Sequence, residues 1–123
     1  MAPYNVPLLQ VADRFGTSKE RIEILKGLIA YRDELRTAGF LNGFQWLDGS
    51  FMENVEKNRS RPPGDIDVVT FSHRPVNCMK EADWDAFCDS RPELFDSQEN
   101  KIKYFCDAYF VDLSFGNSAY LVP

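Results

Sequence analysis

The segment LDGSFMENVEKNRSRPPGDIDVVTF, residues 47–71, decides the fold because it ends in the clearest strand signal of the chain. There, Asp65 and Asp67 alternate with Ile66 and Val68. Period-two alternation places both carboxylates on one face of a strand and the branched apolar side chains on the other. Neighbouring carboxylates repel each other, so a compensating cation is expected beside them. Mg²⁺ or Mn²⁺ is the expected cofactor, because such ions combine carboxylate oxygens with substrate phosphates.

The same segment begins with a turn that suits a phosphate group. Apolar residues lead into Gly49 and Ser50, and residues 51–56 are predicted to form a helix. Glycine lets the backbone approach a ligand closely, and the amides and hydroxyl at a helix N-terminus can hold phosphate. A Gly-Ser turn and an Asp-x-Asp strand are each common without any function. In this order, however, they favour a phosphate-binding turn beside a metal-binding pair.

A long helix is predicted before this segment, over residues 18–38. Thr17 fits the N-cap position of a capping box, and Gly39 is expected to end the helix. A first strand is predicted over residues 40–47, and residues 1–13 are expected to lie across the domain as an arm. The helix is expected to pack behind the sheet through its apolar stripe.

Helical and strand signals also alternate after residue 71. A helix is predicted over residues 81–90 with Trp84 and Phe87 facing inward, followed by one further turn over residues 93–97. Residues 102–115, IKYFCDAYFVDLSF, are rich in aromatic and β-branched side chains and are predicted to form the last strand. The expected fold class is α+β, a small mixed sheet with helices packed on one face.

The predicted last strand offers two candidates for a third carboxylate, Asp107 and Asp112. They lie five residues apart, so on a regular strand they project to opposite faces. Only one of them can therefore meet Asp65 and Asp67 unless a bulge intervenes. The parity of the strand does not choose between them.

Composition narrows the class of protein. The chain of 123 residues is expected to form a single domain, residues 1–123, with 44% hydrophobic residues. Its net charge of −5 argues against an extended nucleic-acid surface. No apolar run approaches the ~18 residues of a membrane span and no signal-like N-terminus is seen, so a cytoplasmic protein is expected. Cys78, Cys88 and Cys106 are expected to be reduced thiols, and His73 a solvated loop residue.

The motif GS, followed after a loop by DIDVV, resembles the signature of the nucleotidyltransferase superfamily that includes DNA polymerase β, especially its minimal, stand-alone prokaryotic members. The chain also resembles small nucleotidyltransferase-like proteins with segments similar to RFGTSKERIEILKGLIAYRDELRTAGF, LDGSF, PPGDIDVV and KYFCDAYFVDL. This likeness covers roughly residues 11–113. Such motifs are more typical of a fold than of one reaction.

The resemblance implies the transfer of a nucleoside monophosphate from a nucleoside triphosphate, such as ATP, to an acceptor hydroxyl on a protein, an RNA or a small molecule. It implies that Asp65 and Asp67 bind the metal ions. It favours Asp107 as the third carboxylate, which would bind the catalytic ion and help to deprotonate the acceptor. Gly49 and Ser50 would hold the nucleotide, with Ser50 at the β- and γ-phosphates.

Two other functions stay open at this point. One is a module on the same fold that senses a nucleotide or regulates a partner, and the other is a metal-dependent phosphoester hydrolase.

The chain stops soon after the third carboxylate, where longer relatives continue. A protein partner or a homodimer is therefore expected to complete the nucleoside-binding side.

Overall fold

The computed structural model describes residues 8–52, 56–57 and 63–115. Helices and strands alternate along the chain in an order typical of a small α+β domain. In chain order, the described elements are α1 (Leu8–Phe15), α2 (Lys19–Thr37), β1 (Gly43–Asp48), β2 (Ile66–Ser72), α3 (Glu81–Ser90), α4 (Pro92–Phe95), α5 (Ser97–Tyr104) and β3 (Cys106–Asp112), with short 3₁₀ turns at Ser50–Met52, Val76–Cys78 and Leu113–Phe115.

The three strands form one mixed sheet in the order β1-β2-β3. β1 runs antiparallel to β2, whereas β2 and β3 are parallel. The parallel pair needs a crossover, which contains α3, α4 and α5. The structure confirms the expected α+β class with helices packed against a small mixed sheet.

The period-two pattern of β2 separates the two faces of the sheet. Ile66, Val68, Thr70 and Ser72 are buried, while the residues between them are only partly buried. The buried face packs against the helices in one core. This core consists of Val11, Ile24, Leu25, Leu28, Tyr31, Leu35, Phe51, Ile66, Val68, Leu94, Tyr104, Cys106 and Ala108.

The long helix forms as predicted, but its N-cap is not Thr17. The Ser18 hydroxyl accepts a hydrogen bond from the backbone N–H of Arg21, so Ser18 is the N-cap and α2 begins at Lys19. Gly39, at a φ of 106°, stands just beyond the C-terminus, where glycine favours the left-handed conformation. The stop at Gly39 is therefore confirmed.

The prediction of a strand over residues 102–115 is wrong at both ends, because Leu113–Phe115 form a 3₁₀ turn and the first residues are helical. Residues up to Tyr104 belong to α5, and β3 begins at Cys106. The Asp96 carboxylate accepts hydrogen bonds from the backbone N–H groups of Gln98 and Glu99, which starts the helix. Phe105 then ends the helix in the left-handed conformation, at a φ of 56°. Local capping therefore outweighs the strand propensity of this segment.

Other boundaries also differ from prediction. The first strand begins at Gly43 rather than at residue 40. Phe40 lies outside the strand, and its ring packs against those of Trp84 and Phe110. The turn predicted at 93–97 is α4, which begins at Pro92. Part of the predicted arm is helix α1.

Two predictions on the second half of the chain are confirmed. α3 spans the predicted residues, with Trp84 buried and Phe87 packed against the core. His73 is exposed, and its ring nitrogen lies 3.2 Å from the Ser114 hydroxyl. No helix within the described ranges combines the length and the apolar character that crossing a membrane requires.

Candidate active site

Carboxylates line one end of the open face of the sheet. Asp48 of β1 pairs with Asp67 of β2, and Asp67 pairs with Asp107 of β3. Paired residues of neighbouring strands point to the same side, so these three acids form a row across all three strands. Asp65 lies two residues before Asp67, at the entry to β2. We call these four residues the carboxylate cluster.

The cluster is electrostatically strained. Partial burial raises the pKa of Asp67, and the negative charges of Asp107, Asp65 and Asp48 raise it further. The positive charge of Lys101 opposes this rise. Carboxylates that repel one another in this way favour a bound proton or a bound cation. The arrangement is therefore suited to bind positive charge.

The Gly-Ser turn lies directly against the cluster. Gly49 has a φ of 87°, and a Cβ atom built on it would lie 2.8 Å from Oδ2 of Asp67. A side chain at this position would therefore collide with the carboxylate, and the left-handed backbone favours glycine as well. The structure thus brings the two motifs of residues 47–71 together at one place. Of the helix predicted over residues 51–56, residues 51–52 lie in the 3₁₀ turn Ser50–Met52, and residues 53–55 lie outside the described part of the chain. The side chain of Ser50 and residues 58–62 also lie outside it.

Arg21 of α2 holds the backbone that follows the turn. Its Nη1 donates a 2.6 Å hydrogen bond to the carbonyl oxygen of Phe51. Its Nε and Nη2 donate to the two carboxylate oxygens of Glu56 at 2.8 and 2.9 Å. Arg21 and Phe51 are both buried. The long helix therefore sets the position of the turn relative to the sheet.

Asp107 is the member of the cluster that has one unsatisfied oxygen among the described residues. Its side chain is 19% exposed, and its buried Oδ1 has no hydrogen-bond partner among the described residues. Its Oδ2 lies 3.7 Å from Nζ of Lys101, which is also 3.9 Å from Oδ2 of Asp65. A buried carboxylate oxygen without a donor is costly. Asp107 is therefore a candidate to bind a ligand.

Asp112 is placed differently. It lies on the helix-covered side, as the parity of the strand requires, and its Oδ2 accepts a 2.7 Å hydrogen bond from Nε of Arg74. Its Oδ1 accepts from the backbone N–H of Ser114. Both oxygens therefore have structural partners. Of the two candidates, Asp107 is the one that shares a face with Asp67.

The donor chemistry of the cluster fits a hard divalent ion, because carboxylate oxygens are what Mg²⁺ and Mn²⁺ prefer. Within residues 8–52, 56–57 and 63–115, no three His, Cys, Asp or Glu side chains stand close enough together to hold a metal ion as a group. An ion here would take one or two carboxylates and complete its shell with water and phosphate oxygens, as is usual for Mg²⁺.

Beyond the carboxylates, the open face is apolar. The rings of Phe44 and Phe71 stack with their centroids 4.8 Å apart, and Trp46 lies against Phe71 at the same distance. In register, the next two rows across the strands are Trp46, Val69 and Tyr109, and then Phe44, Phe71 and Val111. Planar aromatic groups could therefore stack beside the carboxylates.

One comparison with known proteins assigns the chain to a family. A family model described as "Family of unknown function (DUF6932)" matches residues 2–121. The chain belongs to this family. No curated protein matches it. No solved structure matches it either. The match spans both motifs and all three strands, so the carboxylate cluster lies within the region that defines the family.

Two residues of the site had no predicted role. Asp48 directly precedes Gly49, but no local pattern linked it to Asp67, because their pairing depends on the register of β1 and β2. Lys101 lies in α5, just before the segment predicted to be a strand. A helix prediction from the Asp96 cap would have placed a lysine in the last turn, near the start of β3.

Proposed function

We propose that this protein is a metal-dependent nucleotidyltransferase, which transfers a nucleoside monophosphate from a nucleoside triphosphate to an acceptor hydroxyl. The observation that carries the proposal is the contact between Gly49 and the carboxylate of Asp67, which lies between Asp48 and Asp107 in the row of acids. The resemblance of the two motifs to the nucleotidyltransferase superfamily supports the same reaction. Both ligands that this reaction needs, a cation and a phosphate chain, have suitable groups here.

Electrostatics explains why a metal belongs to the proposal. The chain has a net charge of −5, and the proposed phosphate site at Gly49 adjoins Asp67, the pKa of which the three other carboxylates of the cluster raise. A triphosphate alone would be repelled from this surface. When bound, Mg²⁺ or Mn²⁺ supplies the positive charge that neutralises the phosphates and the leaving pyrophosphate. Asp65, Asp67 and Asp107 would supply the carboxylate ligands, and each ion would take one or two of them.

The residues of the chain then have separate tasks in the proposed reaction. The backbone at Gly49 and Ser50 holds the phosphate chain close to Asp67, because the glycine leaves room there. The carboxylate of Asp107 accepts the proton of the acceptor hydroxyl. The acceptor oxygen forms a bond to the α-phosphorus, and the bond from that phosphorus to the bridging oxygen breaks. Pyrophosphate leaves with the electron pair of the broken bond.

Nucleotide binding provides the first test, because it does not require the acceptor. Each of ATP, GTP, CTP and UTP is titrated into the protein with Mg²⁺ and followed by calorimetry. Pyrophosphate release and transfer of an α-phosphate label are then measured with the nucleotide that binds. We expect Asp107→Asn to reduce turnover at least about 100-fold, since metal and proton contacts are both lost. Asp85→Asn, an exposed acid of α3, is the control and should leave turnover unchanged.

The same experiment separates the other functions. Binding without pyrophosphate release or label transfer would favour a nucleotide-sensing module. Orthophosphate or free nucleotide without a labelled acceptor would favour a phosphoester hydrolase. If no nucleotide binds with Mg²⁺ or Mn²⁺, the proposal is wrong.

A further inference from the structure

Among the described residues, Lys101 lies against the carboxylate cluster with its positive charge. It projects from the last turn of α5, and its Nζ lies 3.7 Å from Oδ2 of Asp107 and 3.9 Å from Oδ2 of Asp65. Its charge also opposes the rise in the pKa of Asp67 that burial and the neighbouring carboxylates cause. One lysine therefore compensates part of the charge of several acids.

The contacts of Lys101 do not hold it in one place. Charge-assisted hydrogen bonds between N–H and carboxylate oxygen are about 2.7–2.9 Å long. Nζ of Lys101 lies farther than this from both carboxylates, at 3.7 and 3.9 Å. The side chain is 45% exposed. Lysine also carries its charge on a flexible four-carbon stem with three rotatable donors. Lys101 can therefore leave the two carboxylates without breaking a short hydrogen bond.

Lys101 and a divalent ion would compete for the same oxygens. An ion bound to Oδ2 of Asp107 or Asp65 would stand about 2.0–2.1 Å from that oxygen, close to the ammonium group. Two positive charges that approach the same carboxylate oxygen repel each other. We propose that Lys101 and the metal ion are alternative partners of Asp65 and Asp107, and that the displaced ammonium group binds the triphosphate. This inference rests on the proposed function.

The position of Lys101 relative to the Gly49 turn is the reason why we infer that its ammonium group binds the triphosphate. Gly49 lies at the β1 side of the carboxylates, and Lys101 approaches them from the β3 side. A phosphate chain bound to the metal would therefore lie between backbone amides on one side and an ammonium group on the other. Lysine is a common phosphate ligand because its charge is compact. Lys101 would thus balance the negative charge of the carboxylates before the metal binds, and the negative charge of the phosphates afterwards.

Two titrations of the full chain test this inference. Calorimetry measures the affinity for Mn²⁺ alone and for the preformed complex of Mn²⁺ with inorganic tripolyphosphate, which does not depend on the identity of the base. The variant is Lys101→Met. The control is Lys103→Met, which removes the same charge from the same helix, where the exposed Lys103 lies over the ring of Tyr104.

We expect Lys101→Met to change the two affinities in opposite directions. Mn²⁺ alone should bind roughly tenfold more tightly, because a repelling charge is gone. The Mn²⁺–tripolyphosphate complex should bind roughly tenfold more weakly, because a charge-assisted contact is lost. A residue with only a structural role would not produce this reversal.

Each other result overturns the inference in a distinguishable way. If Lys101→Met matches Lys103→Met in both titrations, Lys101 has no special role. If Lys101→Met weakens both affinities, the lysine supports the arrangement of the cluster and does not compete with metal. If the unmodified protein does not bind Mn²⁺ at all, the proposed function fails together with the inference.

Discussion

The acids at the two ends of the sheet differ in how closely a cation pairs with them. At one end, Asp112 accepts a 2.7 Å hydrogen bond from Arg74, whose side chain is only 6% exposed. Arg74 also donates to Glu81 at 3.0 Å and to the carbonyl oxygen of Met79 at 3.3 Å. At the other end, Nζ of Lys101 lies 3.7 Å from Oδ2 of Asp107 and 3.9 Å from Oδ2 of Asp65.

This difference separates acids that hold the fold from acids that are available for binding. Each oxygen of Asp112 accepts a short hydrogen bond, at 2.7 and 2.9 Å, whereas Oδ1 of Asp107 accepts none from the described residues. The repulsion within the cluster raises the pKa of Asp67 in addition to the effect of burial. Strained groups of this kind are concentrated at functional sites.

The largest effect on stability is expected at the Arg74 end. Arg74→Met leaves Asp112, 16% exposed, without its cation. We expect the free energy of unfolding to fall by about 3 kcal/mol, as when one partner of a buried ion pair is removed. Urea denaturation at pH 7 measures it. As a control, Lys26→Met removes an exposed pair with Glu23 and should cost less than about 1 kcal/mol. Equal losses would contradict a structural role for Arg74.

An intermediate effect is expected at the turn. Gly49→Ala introduces a Cβ atom 2.8 Å from Oδ2 of Asp67 at a left-handed φ. We expect a loss of about 1–2 kcal/mol in the free energy of unfolding. Metal-dependent nucleotide binding, measured by calorimetry, should also be lost. Gly64→Ala is the matched control, because its added Cβ would have no atom of the described residues within 4 Å. Binding that survives Gly49→Ala would place the phosphate elsewhere.

The smallest effect is a gain in stability. The folded state raises the pKa of Asp67, so it binds the proton more tightly than the unfolded chain does. Stability therefore falls as pH rises from the unfolded pKa of about 3.9 through the raised folded pKa, and the full penalty is present at pH 7. Asp67→Asn removes this penalty. Without metal, it should increase the free energy of unfolding at pH 7 by less than about 1 kcal/mol, because water screens the partly exposed carboxylate.

The pH dependence makes this prediction specific. The gain from Asp67→Asn should disappear below about pH 3.9, where the carboxyl is protonated in both states. Urea denaturation at several pH values measures it, with Asp85→Asn as the exposed control. A gain that is independent of pH would indicate a packing effect instead of relief of charge repulsion.

Local patterns were sufficient for part of the candidate site. The alternation at residues 65–68 predicted the strand, and the spacing of Asp107 and Asp112 predicted that they project to opposite faces. Both predictions depend only on the geometry of a regular strand. The predicted chemical roles of Asp65, Asp67, Asp107, Gly49 and Ser50 stay predictions, since location alone does not establish a reaction.

By itself, the sequence determined the α+β class, the long helix before Gly39 and the strand that carries Asp67, because caps and periodicity act between near neighbours. Only the tertiary structure decided that Asp48 joins the row and that Lys101 faces it. Strand register and the packing of α5 depend on contacts between residues distant along the chain, which no local pattern encodes. The same contacts paired Asp112 with Arg74 and left Asp107 on the open face.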